Sequence, residues 1–428
     1  MTKSTSHKFL EYTLTVLLIV VPAFIVPLGD YYDHFYYPKF MLLVVFAIVL
    51  LLYILINVHD VVKQYRPSWA DLFLLIYTLL MIVASLFARD FMDALYGRAY
   101  RHTGLISHLI FVVLYFVAKL NGNLSKKSWL FIVSGAAVLA AYGMLQHFGF
   151  DPITRDEIRK GWNAAFATFG NPNFAGSFYV MIVPISLYLV DAYGWKLYPL
   201  YAWMLFSLLL TFSTAAWIGG FVAIVIALLL VFIHSPHDKK KKKFVVRTLI
   251  ISLMVAIFFN AITSDALVHE FQKTTGEAIE LVENGTINQR AGSKRVFIWT
   301  RTIDLITQRP WLGYGIENMA EPFGAQFRDD MKEIFGFSLT VDKAHNEYLQ
   351  VAVDSGIPSL IAYMLFLASL LFESYKKLLH DKRNIFILAA TLGYLSQALF
   401  SFSVISVVYL FWTLLGILGK IELKEKAN

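Results

Sequence analysis

The chain contains no cysteine, so a disulfide framework, a thiolate nucleophile and a thiolate metal site are all closed to it. Charge is scarce too. Only 16% of its 428 residues are Asp, Glu, Lys or Arg, against 58% hydrophobic, and the mean hydropathy is +0.60. This composition excludes an ordinary soluble domain and marks an integral membrane protein. The formal net charge of +7 fits cytoplasmic loops, where polytopic proteins gather lysine and arginine, so no nucleic-acid partner is expected.

What is present is a series of apolar runs, each long enough to cross about 30 Å of hydrocarbon. They lie near 10–28, 38–57, 69–87, 104–120, 129–148, 173–191, 197–214, 216–233, 244–262, 350–373, 384–402 and 404–420. The expected fold is therefore all-α and polytopic, with about twelve transmembrane helices. Residues 1–262 hold the first nine spans and two smaller outer loops, 263–349 form a large loop with helices of its own, and 350–428 carry the last three spans and a tail. The first segment reads as a retained span rather than a cleaved signal peptide.

Lys3, Lys8, Lys63, Lys119, Lys126, the run Lys239 to Lys243, and Lys376 alternate with the other set of loops, which puts both termini in the cytoplasm. Ten of the thirteen arginines then fall on the outer side, against the topological trend. Orientation needs only positive charge. Arginine's planar fork is preferred where phosphate or carboxylate is held on two bonds, so an anionic ligand is expected outside.

Three outer stretches carry the polar chemistry. The first, ARDFMDALYGRAYRHTG, offers Arg98 and Arg101, which would share a face if the segment were helical. The second carries Arg155, Arg159 and Lys160 and closes with FGNPNFAGS, where Asn173 is positioned to cap the next span. The third is the large loop. There the apolar spacing of residues 294–308 predicts an amphipathic helix that sets Arg295 one turn from Trp299. Pro310 stops that helix, and Gly313 and Gly315 permit a tight turn. His345 stands directly before Asn346, an N-cap residue, with Glu347 in the following first turn. A helix N-terminus disfavours imidazolium and attracts anions, which suits a neutral base beside a phosphate.

The order Arg-x-x-x-Trp, Arg-Pro-Trp-Leu-Gly-Tyr-Gly, His-Asn-Glu-Tyr-Leu-Gln and Gly-Ile-Pro over 290–360 resembles the O-antigen ligase and polysaccharide polymerase superfamily. The similarity extends more weakly to YGRAYRHTG, YGMLQHFGFDP and FGNPNFAG. It implies a GT-C-like membrane glycosyltransferase of the bacterial cytoplasmic membrane. Such an enzyme moves a saccharide from undecaprenyl phosphate or diphosphate to a glycan, lipid or protein acceptor on the outer face, with inversion and with neither metal nor cofactor. By the matched positions, His345 would be the base and Arg295 would grip the carrier phosphate. Arg290, Arg98 and Arg101 are further phosphate-side candidates from the loops, with Asn346, Trp299 and Tyr348 in support. One departure stands out: where many members carry Ser-Arg at the outer end of a middle span, this chain has Ser213-Thr214.

Two other readings compete. Twelve spans also suit a transporter or flippase of lipid-linked saccharides, although such a protein would hold ionisable groups near the midplane. A metal-dependent transferase would use outer carboxylates such as Asp329 and Asp330.

Overall fold

The computed structural model describes residues 3–26, 34–122, 124–151, 164–284, 289–337, 339–378 and 384–420. Arg155, Arg159 and Lys160 of the second outer loop lie outside these residues. Among the described residues every regular element is a helix. The first nine are α1 (Lys3–Ala23), α2 (Tyr37–Ile56), α3 (Val58–Gln64), α4 (Trp69–Leu86), α5 (Phe91–Tyr96), α6 (Leu105–Asn121), α7 (Lys126–His147), α8 (Pro172–Tyr193) and α9 (Tyr198–Leu209). The others are α10 (Thr214–His234), α11 (Lys239–Ile262), α12 (Ala266–Asn284), α13 (Arg295–Gln308), α14 (Ala320–Gln326), α15 (Arg328–Phe335), α16 (Glu347–Lys377), α17 (Asn384–Gln397) and α18 (Val408–Leu418).

Apolar helices occupy all twelve expected positions, and among the described residues seven are long and apolar enough to cross a membrane by themselves. The protein is a polytopic membrane protein. α8 is its axis: every side chain from Phe174 to Val190 is buried. Small residues let its neighbours approach, since a Cβ on Gly176 would sit 2.5 Å from the Cβ of Ala216 on α10. At the opposite extreme, α11 buries only Phe244, Thr248 and Phe259, and much of its remaining apolar surface is exposed.

The structure corrects the sequence reading at five places. α9 is a short helix of twelve residues, entered through a 3-10 turn and with proline at its start. α17 and α18 are separated by a non-helical stretch, 398–407, that returns toward the loop rather than continuing either span. The cap of α8 is Asn171, whose Oδ1 accepts from the Asn173 amide. Pro172 takes the first helical position, where its missing N–H costs nothing. α5 ends at Tyr96, so Arg98 and Arg101 lie in a turn and point to different partners. Lys119, counted among the cytoplasmic lysines, is buried in the last turn of α6, its Nζ 2.5 Å from Asp71 Oδ2.

The large loop docks on α16 through backbone. Gly356 interrupts that helix at φ 88°, ψ 167°, a conformation open essentially to glycine alone. The interruption frees carbonyls that the Pro-Trp-Leu-Gly-Tyr-Gly turn uses. Tyr314 N donates to Val353 O at 2.9 Å and Gly315 N to Asp354 O at 2.8 Å, while Ile357 N donates to Pro310 O at 2.7 Å. A Cβ on Gly356 would lie 2.2 Å from Trp311 O. Gly356→Ala is therefore expected to destabilise the protein by about 2 kcal/mol or more, combining the strained dihedral with the clash. Thermal unfolding of the purified variant in detergent checks this, and an unchanged Tm would refute it.

Candidate active site

Of the polar candidates, His345, Arg295, Arg101 and Trp299 come together where the large loop, the first outer loop and residues 398–403 meet. α13 runs Arg295–Gln308, within one residue of its expected start, and buries Phe297, Ile298, Thr302, Leu305 and Ile306. That apolar stripe packs under α14, α15 and α16 and leaves Arg295 at the helix start. The strand-like approach 341–345 then leads into α16, capped by Asn346, whose Oδ1 accepts from the amides of Tyr348 and Leu349 at 3.0 Å each.

His345 adopts a left-handed backbone conformation, φ 51°, which costs a non-glycine residue on the order of 1–2 kcal/mol. Such strain persists only where neighbours over-determine it, and here each neighbour is tied down. Asp342 accepts two bonds from Arg101, Nε to Oδ2 at 2.8 Å and Nη2 to Oδ1 at 3.1 Å. Lys343 Nζ donates to Glu317 Oε1 at 2.5 Å, and the Ala344 amide donates to Gln350 Oε1 at 2.8 Å. Beyond the cap, Glu347 accepts from both the amide and the hydroxyl of Ser403, at 2.6 and 2.7 Å.

Those last bonds explain the break between α17 and α18. They hold residues 398–403 against the site, where the Phe402 ring meets His345 edge-on at 5.1 Å and receives the Arg101 guanidinium at 5.3 Å. Phe400 in turn packs on Trp299 at 6.0 Å. Burial, then the charges of Arg295 and Arg101, lower the His345 pKa from 6.5 to about 4, against the opposing pull of Asp342. The imidazole is neutral at physiological pH.

Two of the four candidate arginines therefore act on His345. Arg101 is committed to a carboxylate, whereas Arg295 makes no ion pair among the described residues and feels the charge of Glu270. Arg98 lies 3.6 Å from Asp93, both about one-third exposed. Arg290 is exposed and donates to the Glu333 carbonyl at 3.4 Å. Among the supporting residues, Tyr348 donates to the Leu395 carbonyl at 2.9 Å. Trp299 Nε1 is buried and finds no acceptor among the described residues. The acidic alternative is occupied by cations: Asp330 sits 2.7 Å from Arg301 and Asp329 3.4 Å from Lys332.

Sequence reasoning missed the layer beneath His345. Glu317, itself at φ 63°, is fully buried with Lys343 and also accepts from Thr103 of the first outer loop. Its one visible signal was an acid following the Gly-Tyr-Gly turn and a lysine two residues before the histidine. At the departure from the family pattern, Ser213 caps α10 and donates to Asn173 Oδ1 at 2.7 Å, while the Thr214 hydroxyl donates to Glu270 Oε1 at 2.8 Å.

Residues 199–364 match the family model of the O-antigen ligase domain, a stretch that includes Ser213-Thr214, Arg295 and His345. Over 157 residues the chain is 28% identical to a general O-oligosaccharyltransferase of Acinetobacter baylyi. The match covers 35% of this chain and 26% of that relative, so the chain spans about a quarter of the curated protein's length. By this family match and this relative, the chain is similar to the O-antigen ligase superfamily.

Proposed function

We propose that this protein is a membrane glycosyltransferase that moves a saccharide from a polyprenyl-phosphate or -diphosphate carrier to an acceptor hydroxyl, in the manner of an O-antigen ligase or polysaccharide polymerase. What supports this reading is that the charges of Arg295 and Arg101 both act on His345, which burial and those charges bring down to a pKa of about 4. His345 takes the acceptor's O–H proton while that oxygen attacks the anomeric carbon. The bond from that carbon to the phosphate oxygen breaks, and its electron pair leaves with the carrier phosphate. Attack opposite the leaving group inverts the anomeric configuration.

Arg295, lacking an ion-pair partner among the described residues, faces the developing phosphate charge, where a fixed cation acts most strongly. Arg101, neutralised by Asp342, orients the loop and adds a weaker field. The Trp299 indole N–H is a further donor for a phosphate or sugar oxygen. The reaction uses the face that carries 263–349, which the lysine distribution assigns to the outside.

Deleting the gene and identifying the accumulated lipid-linked glycan tests the reaction. Wild-type protein supplied in trans should clear the accumulation. Arg295→Lys keeps the charge but loses the two-pronged geometry, so it should clear it at roughly one-hundredth of the rate or less. Absence of any accumulating lipid-linked glycan would overturn the reading, and a near-normal Arg295→Lys rate would reduce Arg295 to a structural residue.

A further inference from the structure

A cavity of about 740 Å³ opens between the start of α8, the α9–α10 turn and the end of α11. Its walls hold His147, Asn171, Asn173, Thr211, Phe212 and Thr263, and among the described residues no lysine, arginine, aspartate or glutamate lines it. This size is typical of small-ligand sites, which run to roughly 300–1,000 Å³.

The hydrogen-bonding groups in the wall are partly used, in a consistent sense. Asn171 Oδ1 accepts from the Asn173 amide, and Asn173 Oδ1 accepts from Ser213. Neither asparagine's Nδ2 donates to protein among the described residues, which leaves amide donors in the cavity lining. Thr211 and Thr263 donate to the Leu208 and Phe259 carbonyls, at 2.7 and 2.8 Å, which leaves their oxygens as acceptors. Phe212 lies nearly parallel to His147, interplanar 19° at 5.9 Å, forming a flat aromatic wall. It does so from a left-handed backbone conformation, φ 50°, a strain of the kind that collects at ligand sites.

Uncharged amide donors and hydroxyl acceptors beside a flat aromatic wall match the hydroxyls and the C–H face of a sugar ring. They suit neither a phosphate, which calls for cations, nor a lipid tail, which calls for an unbroken apolar lining. We infer that this cavity is a saccharide-binding subsite that takes an uncharged portion of the glycan carried by the donor or the acceptor. The inference rests on the function proposed above.

The cavity is also coupled to the site described. The Asn173–Ser213 bond leads to the neighbouring Thr214–Glu270 bond, and the Glu270 charge acts on Arg295. The threonine found where many family members carry arginine thus holds Glu270, whose charge acts on Arg295.

The test uses the full chain in nanodiscs and soluble oligosaccharide released by mild acid from the cell's own lipid-linked glycans. Wild type should bind it saturably, and Phe212→Leu/Thr263→Val should raise Kd roughly tenfold, as expected for losing one hydrogen bond and an aromatic contact. His147→Ala should move Kd in the same direction. In transfer assays, a raised donor KM with kcat held within about twofold assigns the subsite to the donor glycan, and a raised acceptor KM assigns it to the acceptor. Absence of saturable binding, or a Kd and both KM values that ignore these variants, overturns the inference. His345→Ala should bind the oligosaccharide like wild type, so failure of the base assignment and failure of the subsite are read separately.

Discussion

Replacing His345 with alanine is expected to reduce saccharide transfer by about 10²–10⁴-fold, the usual contribution of a positioned general base. The protein should still fold. His345 is partly exposed and its side chain supports the loop through one ring contact with Phe402, while Asn346, Lys343 and Asp342 do the anchoring. The pH dependence gives an independent reading. A base with an ordinary imidazole would lose half its activity near pH 6.5, whereas a group lowered to about 4 stays unprotonated well below neutrality. The wild-type rate should therefore hold as pH falls past 6 and decline only as it nears about 4. Transfer by the alanine variant at the wild-type rate would remove His345 from the chemistry, and an acid limb near 6.5 would show that neither burial nor the field of Arg295 and Arg101 depresses it.

The second large effect lies one layer deeper. Lys343→Met leaves the Glu317 carboxylate buried with only Thr103 as donor, and breaking a buried ion pair from one side costs about 3–5 kcal/mol. Glu317→Gln strands the ammonium instead. Each single variant should lower Tm and transfer together, while Glu317→Gln/Lys343→Met, with no buried charge left at this position, should recover part of the stability. Lys343→Met also removes one of the cations that depress the His345 pKa, so among surviving molecules the acid limb should move toward neutrality. Arg295, Arg101 and Asp342 are the other charged groups acting on that ring and remain in place. Singles that melt like wild type, or a double variant no better than either single, would show that the pair does not hold the His345 segment.

The elements that could be read locally were read well. α13, its proline stop and the Asn346 cap depend on spacing and on residues a few positions apart. The Gly-Ile-Pro break was visible as a break, but its use was not, because its carbonyl partners lie some forty residues away in the Pro-Trp-Leu-Gly-Tyr-Gly turn. Arg98 and Arg101 looked equivalent in sequence and are not. One turns back to Asp93 on its own segment, and the other reaches Asp342, 241 positions away. Nothing local distinguishes them.

By itself the sequence determined the membrane class, the helix positions and the residue types available for chemistry, because hydropathy, charge asymmetry and capping are properties of short stretches. Only the tertiary structure decided which of those residues act together. The burial that neutralises His345, the carboxylate that occupies Arg101, the hidden Glu317–Lys343 pair and the Phe402 wall all arise from contacts between segments far apart in the chain. Desolvation and Coulomb fields depend on distance in space, and a linear chain does not encode that distance locally.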